Sequence, residues 1–103
     1  MSHVFKALAD PTRRRVLQLL RERPMTAGEL ADHFAVSRPT MSAHFAVLRE
    51  ADLIDATKNG ASITYRLKLS VLEEALMEFA ATLRLGTASR GKRSARRLVE
   101  KKA

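Results

Sequence analysis

The sequence predicts a mainly α fold with one small β-hairpin, and three features carry that reading. Five stretches of the 103 residues space their apolar side chains at three and four, the repeat of a helix with one buried face. Four of the five open on a residue able to cap a helix: Asp10, Thr26, Ser37 and Ser70. Between the fourth and fifth lies a stretch centred on Asn59-Gly60, the strongest short hairpin signal.

The elements follow in order. Val4, Phe5 and Leu8 form one face of a first helix, which Asp10-Pro11 ends. Asp10 caps the second helix, and Pro11 suits its first position, where a missing N–H leaves no bond unmade. Val16, Leu17, Leu19 and Leu20 form its buried stripe, and Arg21, Arg23 and Pro24 mark its end. Thr26 and Glu29 spell a capping box for a short third helix with Leu30, Ala31 and Phe34 inward. After a tight connection at Ala35-Val36, Ser37 caps the fourth helix, which tolerates Pro39 in its first turn.

Met41, Phe45 and Leu48 make the inner stripe of that fourth helix, with His44 at the stripe's edge. The hairpin "LIDATKNGASITYRL" is expected to turn at Asn59-Gly60 in type I′, pairing Ala56 with Ile63 and Ile54 with Tyr65. Ser70 and Glu73 make a second capping box. The last helix then carries a broad apolar face, Leu72, Ala75, Leu76, Phe79 and Leu83 among it, and Gly86 ends it. That face exceeds the needs of one small domain, so it is expected to join Val4, Phe5 and Leu8 in a homodimer interface.

Composition bounds the function. The chain has no Cys, hence no disulfide framework and no thiolate metal site, which suits the cytoplasm. It has no run of 18 apolar residues, so no membrane insertion is expected. The formal charge of +8 is uneven: residues 1–85 hold 12 Lys and Arg against 10 Asp and Glu, and residues 86–103 hold 7 against 1. The division expected is a domain over 1–85 for DNA binding and dimerisation, followed by a basic tail over 86–103, mobile by composition. The excess favours a polyanion, nucleic acid first. A solubilising tail is the plainer alternative. His3, His33 and His44 are scattered, and no phosphate loop, nucleophile motif or metalloprotease helix occurs, so neither an enzyme nor a cofactor is expected.

Helix, helix, short helix, helix, hairpin, helix is the order of a winged helix-turn-helix. Its fourth helix would lie in the major groove and read with its N-terminal half. A helix about 10–12 Å across enters a groove about 12 Å wide only if its outer side chains are small. Pro39, Ser42, Ala43 and Ala46 keep that side low here. Arg38 can pair with guanine or phosphate, Thr40 and Ser42 with base edges or phosphates, and Pro39 and Ala43 with a thymine methyl. Lys58 and Asn59 at the hairpin tip can reach the DNA backbone or minor groove. His44 reads as a packing or backbone-contacting residue. Two rival classes remain: a winged-helix module that binds protein, and a non-specific nucleic-acid binder acting through its tail.

"VFKALADPTRRRVLQLL", "MTAGELADHF", "VSRPTMSAHFAVLREADLI" and "KNGASITYRL" together resemble the ArsR-type winged-helix repressors of bacteria, over about Val4 to Leu85. Within the family, "VFKA", "DPTRR" and "MTAG" are most similar to the SdpR-like autorepressor subgroup. The resemblance implies a cytoplasmic homodimeric repressor on a palindromic double-stranded DNA operator. It implies DNA contacts from Arg38, Pro39, Thr40, Ser42, Ala43 and His44 and from the wing at Lys58, Asn59 and Gly60. It also implies dimerisation through the first and last helices, including Leu72, Leu76, Phe79 and Leu83. Many members carry His where this chain has Ala43, which implies one base contact fewer. Arsenic and cadmium sensors of the family carry a Cys pair near the third helix, and zinc sensors carry His and Asp pairs on the last. This chain has neither, so the resemblance does not extend to metal binding; SdpR-like relatives imply release by a regulatory protein partner instead.

Overall fold

The structure, a computed structural model, describes residues 2–85. The elements are α1 (Ser2–Leu8), α2 (Pro11–Glu22), β1 (Met25–Thr26), α3 (Ala27–Ala31), α4 (Arg38–Glu50), β2 (Ile54–Asn59), β3 (Ser62–Leu67) and α5 (Leu69–Thr82). The chain divides after Leu72 into two compact units. The basic tail and Gly86 lie outside the described residues.

In the first unit, the corner between α1 and α2 explains an oddity of the sequence. Asp10 caps α2 by accepting the Arg13 backbone N–H at 3.1 Å. Arg13 and Arg14 then fall in the first turn of α2, where the helix dipole disfavours positive charge. Both side chains turn back to α1. Arg14 Nη1 donates to the Leu8 carbonyl at 2.8 Å, Arg13 Nε to the Ala7 carbonyl at 2.8 Å, and Arg13 Nη2 to the Lys6 carbonyl at 3.0 Å. The last carbonyls of a helix lack intrahelical donors. Two guanidinium groups satisfy them here, on a helix of seven residues that is too short to hold by itself.

The Arg13 backbone N–H also holds the Asp10 carboxyl below the usual carboxylate range, and the Thr26 N–H does the same for Glu29. A carboxyl whose pKa is lower in the folded than in the unfolded chain stabilises the fold above its unfolded pKa. That contribution is lost as pH falls through the folded pKa. Asn caps a helix about as well as Asp but does not titrate. Asp10→Asn should therefore leave the melting temperature at neutral pH nearly unchanged and make its decline in acid shallower. Thermal melts of both chains across the acid range check this; identical acid slopes would refute it.

The core of the first unit is apolar. Val16, Leu17 and Leu20 of α2, Leu30 and Ala31 of α3, and Met41, Phe45 and Leu48 of α4 are buried, whereas Leu19 and Phe34, expected beside them, are only half-buried. The Phe45 ring lies against Tyr65 of β3, centroids 4.8 Å apart and planes tilted by 38°, which joins α4 to the sheet. Burial raises the Tyr65 hydroxyl pKa.

The sheet has the order β1-β3-β2, all antiparallel. Strand β1 is an addition to the expected elements: two residues that set Met25 opposite Tyr65 and Thr26 opposite Thr64. Thr26 also caps α3, in the expected reciprocal box with Glu29 (3.1 and 2.9 Å).

The hairpin corrects the expected register. Ala56 faces Tyr65, Ile54 faces Leu67 and Asn59 faces Ser62, a slip of two residues. A type I′ turn at Asn59-Gly60 needs positive φ at both residues. Only Gly60 has it, at +64°, while Asn59 stays in β2, so the turn falls on Gly60-Ala61. Glycine at the first of two central residues is the type II′ arrangement. Because a two-residue slip preserves the side-chain faces, Ile54 and Tyr65 still share one face of the hairpin, and both are buried.

The ends of α4 and α5 share one device. Asp52 (φ 61°) follows α4 in the left-handed region; its N–H bonds the Arg49 carbonyl at 2.9 Å, and the Leu53 N–H bonds the Leu48 carbonyl at 3.0 Å. This is a Schellman motif, with Leu48 and Leu53 both fully buried as its apolar pair. Lys68 Nζ donates to Asp52 Oδ1 at 2.7 Å, which raises the lysine pKa, and the Lys68 N–H reaches the Leu53 carbonyl at 2.8 Å. Lys68 thereby takes the cap position of α5, its carbonyl accepting from the N–H of Val71 at 3.1 Å. Ser70 accordingly sits inside the first turn of α5 rather than at its cap, correcting the expected Ser70 and Glu73 box.

In the second unit, α5 runs on to Thr82. Arg84 (φ 56°) closes it with bonds from Arg84 N–H to the Ala81 carbonyl at 3.1 Å and from Leu85 N–H to the Ala80 carbonyl at 2.8 Å. The helix is thus finished ahead of Gly86. Ala75 is buried, whereas Leu76, Phe79 and Leu83 are 46%, 45% and 52% exposed.

Candidate nucleic-acid interface

The turn between α3 and α4 is wound by three bonds. The N–H groups of Asp32, His33 and Phe34 donate to the carbonyls of Gly28, Leu30 and Ala31 at 3.0–3.1 Å. Ser37 then caps α4. Its Oγ accepts the Thr40 N–H at 3.2 Å and donates to Thr40 Oγ1 at 2.9 Å. Because Thr40 Oγ1 accepts that bond, the threonine keeps its own proton to donate outward.

Arg38, Pro39, Thr40, Ser42 and Ala43 are all exposed in the first two turns of α4, so the fold brings these expected readers onto one element. Arg38 stands at the helix start with its side chain 72% exposed. Its Nη2 lies 3.9 Å from Asp32 Oδ1, an open ion pair that costs little to give up. Lys58, Asn59 and Gly60 are exposed at the hairpin end, where the register places Lys58 opposite Ile63.

His44 differs. Its side chain is only 16% exposed, and Nδ1 lies 3.1 Å from Arg13 Nη1 and 3.9 Å from Asp10 Oδ2. It lies against the head of α2, at the edge of the stripe. No spacing in the sequence points to Arg13 as its partner. The signal that does is electrostatic: an arginine three residues after a helix cap is badly placed for the dipole and must have a partner elsewhere.

Of the expected interface residues, Val4 is buried within the chain itself. Phe5, Leu8 and Leu72 are half-buried. Among the described residues, no group of three or more His, Cys, Asp or Glu is placed to hold a metal ion, and no helix is long and apolar enough to cross a membrane.

Comparison with known proteins agrees with this geometry. A helix-turn-helix domain family matches residues 8–56. The transcriptional repressor SdpR of Bacillus subtilis is 43% identical over 76 residues, covering 74% of this chain and 84% of that protein. The arsenical resistance operon repressor of Staphylococcus xylosus is 36% identical over 73 residues, covering 71% and 70%. Among solved structures, an ArsR family transcriptional regulator superposes with a TM-score of 0.69 at 32% identity, covering 84% of this chain and 92% of that one. An ArsR-like regulator from Rhodococcus sp. RHA1 superposes with a TM-score of 0.68 at 30% identity, covering 81% of each chain.

Proposed function

The chain belongs to the ArsR family of winged helix-turn-helix transcriptional regulators, and from that premise we propose that it represses transcription as a cytoplasmic homodimer on a palindromic operator. The observation that carries the reading is the outer side of α4. Arg38, Pro39, Thr40, Ser42 and Ala43 combine one long cationic donor with small polar and methyl-bearing side chains, all exposed. That combination fits a major groove: the small residues admit the helix, and Arg38 and Ser42 supply donors for base edges. Lys58, Asn59 and Gly60 hold the duplex backbone beside the site.

In this reading α5, at Leu76, Phe79 and Leu83, and α1, at Phe5 and Leu8, each contribute to dimerisation. Exposed apolar stripes of this kind mark partner surfaces. Two-fold symmetry then fits two recognition helices to successive major grooves about 34–36 Å apart. In this reading the inducing signal is a regulatory protein partner, as the SdpR-like resemblance of the sequence implies.

Selection of duplexes from a randomised pool, followed by footprinting, tests the proposal. The expected product is a short palindrome protected on one face. Binding without a shared sequence would favour a non-specific binder, and no binding would favour a protein-interaction module.

A further inference from the structure

We propose that Arg13 and His44 are a positioning pair that sets the roll of α4 about its own axis, and so decides which side chains it presents to DNA. The inference rests on α4 being the DNA-reading helix. Arginine can only donate, so His44 Nδ1 has the accepting role in the 3.1 Å contact. The same guanidinium binds the carbonyls of Ala7 and Lys6. Its own backbone N–H is held by Asp10, whose Oδ2 lies 3.9 Å from the His44 ring. One rigid, planar fork carried by the head of α2 therefore reaches both the end of α1 and the middle of α4.

The rest of what holds the inner side of α4 is the stripe Met41, Phe45 and Leu48. Apolar burial is non-directional, so this stripe fixes the roll of the helix less sharply than a directional bond does. A hydrogen bond to a fork of fixed geometry is directional and opposes that roll. Ser42 and Ala43 immediately precede His44, and each step along a helix turns about 100°. Any roll at His44 is thus transmitted undiminished to the two small residues that face the groove. His44 acts on DNA through this bond and not as a reader.

The test uses the full chain, a duplex that the wild-type chain selects from a randomised pool, and a shuffled duplex of equal length. His44→Leu removes the acceptor. His44→Asn restores an acceptor close to the position of Nδ1. His44→Leu should lower affinity for the selected duplex by about tenfold or more, the scale of one bond to a charged group. Affinity for the shuffled duplex and the salt slope should not move. His44→Asn should recover most of the loss, and Arg13→Lys should cause the same selective loss and add little to His44→Leu. Arg13→Lys keeps the charge but not the fork, so it supplies the comparison if His44→Leu fails to fold. Equal losses on both duplexes, or no recovery with His44→Asn while the wild type still selects a sequence, would overturn the pair alone. A wild-type chain that selects no sequence would overturn the DNA reading and the pair's role with it.

Discussion

Leu76→Asp is expected to leave the chain folded but monomeric, and to reduce affinity for the palindromic operator by about 10²–10⁴-fold, the usual gain from linking two binding modules. Leu76 is 46% exposed in the single chain, so a carboxylate there keeps its water and α5 keeps its backbone bonds. Within a dimer the same position would be covered by apolar side chains. Burying an unpaired carboxylate costs several kcal/mol or more, enough to separate two small subunits. Each monomer would still carry an intact α4, but it would meet half a palindrome at a time. Sedimentation of wild type and variant, with titrations on whole and half operators, checks both parts. The half-site affinity should be equal in the two proteins. A wild type that sediments as a monomer at micromolar concentration, or a variant that keeps the dimer, would remove α5 from the interface.

How much of this is legible in the sequence depends on the kind of signal each element leaves. Helices with a repeated apolar stripe are readable, because Met41, Phe45 and Leu48 can be buried together only on a helix. The Ser37 and Thr26 caps are readable because a side-chain oxygen at that position satisfies an N–H that the helix leaves open. Strand β1 is not: two residues carry no period, and their place beside Tyr65 is set by the fold. The turn departs from its expected place for a related reason. Asn59 is able to adopt positive φ, but ability is not need, and with Gly60 alone taking it the next residue, Ala61, completes the turn. At α5 the cap is Lys68 rather than Ser70 because Lys68 is anchored at both ends, to Leu53 by its backbone and to Asp52 by its side chain. No local propensity competes with two such ties. Within the candidate site, the small outer residues of α4 can be read directly. The bond between Arg13 and His44 spans 31 positions and cannot be.

Arg38 and the tail are expected to separate reading from holding. Arg38 stands at the start of α4 with its side chain 72% exposed, tied among the described residues by the open pair with Asp32. A bidentate contact from arginine to guanine is worth about 1–3 kcal/mol of discrimination. Arg38→Ala should therefore lower operator affinity by roughly 5–150-fold and random-duplex affinity far less. Residues 86–103, with 7 Lys and Arg against a single Glu, carry most of the net charge whatever their conformation. Charge of that kind meets phosphates, which are the same in every sequence. Deleting residues 87–103 should weaken operator and random duplex alike. It should also flatten the dependence of log affinity on log salt by about 0.9 for each phosphate that the shortened chain leaves unneutralised. Titrating both variants on both duplexes at several salt concentrations distinguishes the two roles. The operator preference should collapse with Arg38→Ala and survive the deletion. The opposite pattern would mean that the tail reads sequence and Arg38 only anchors the helix.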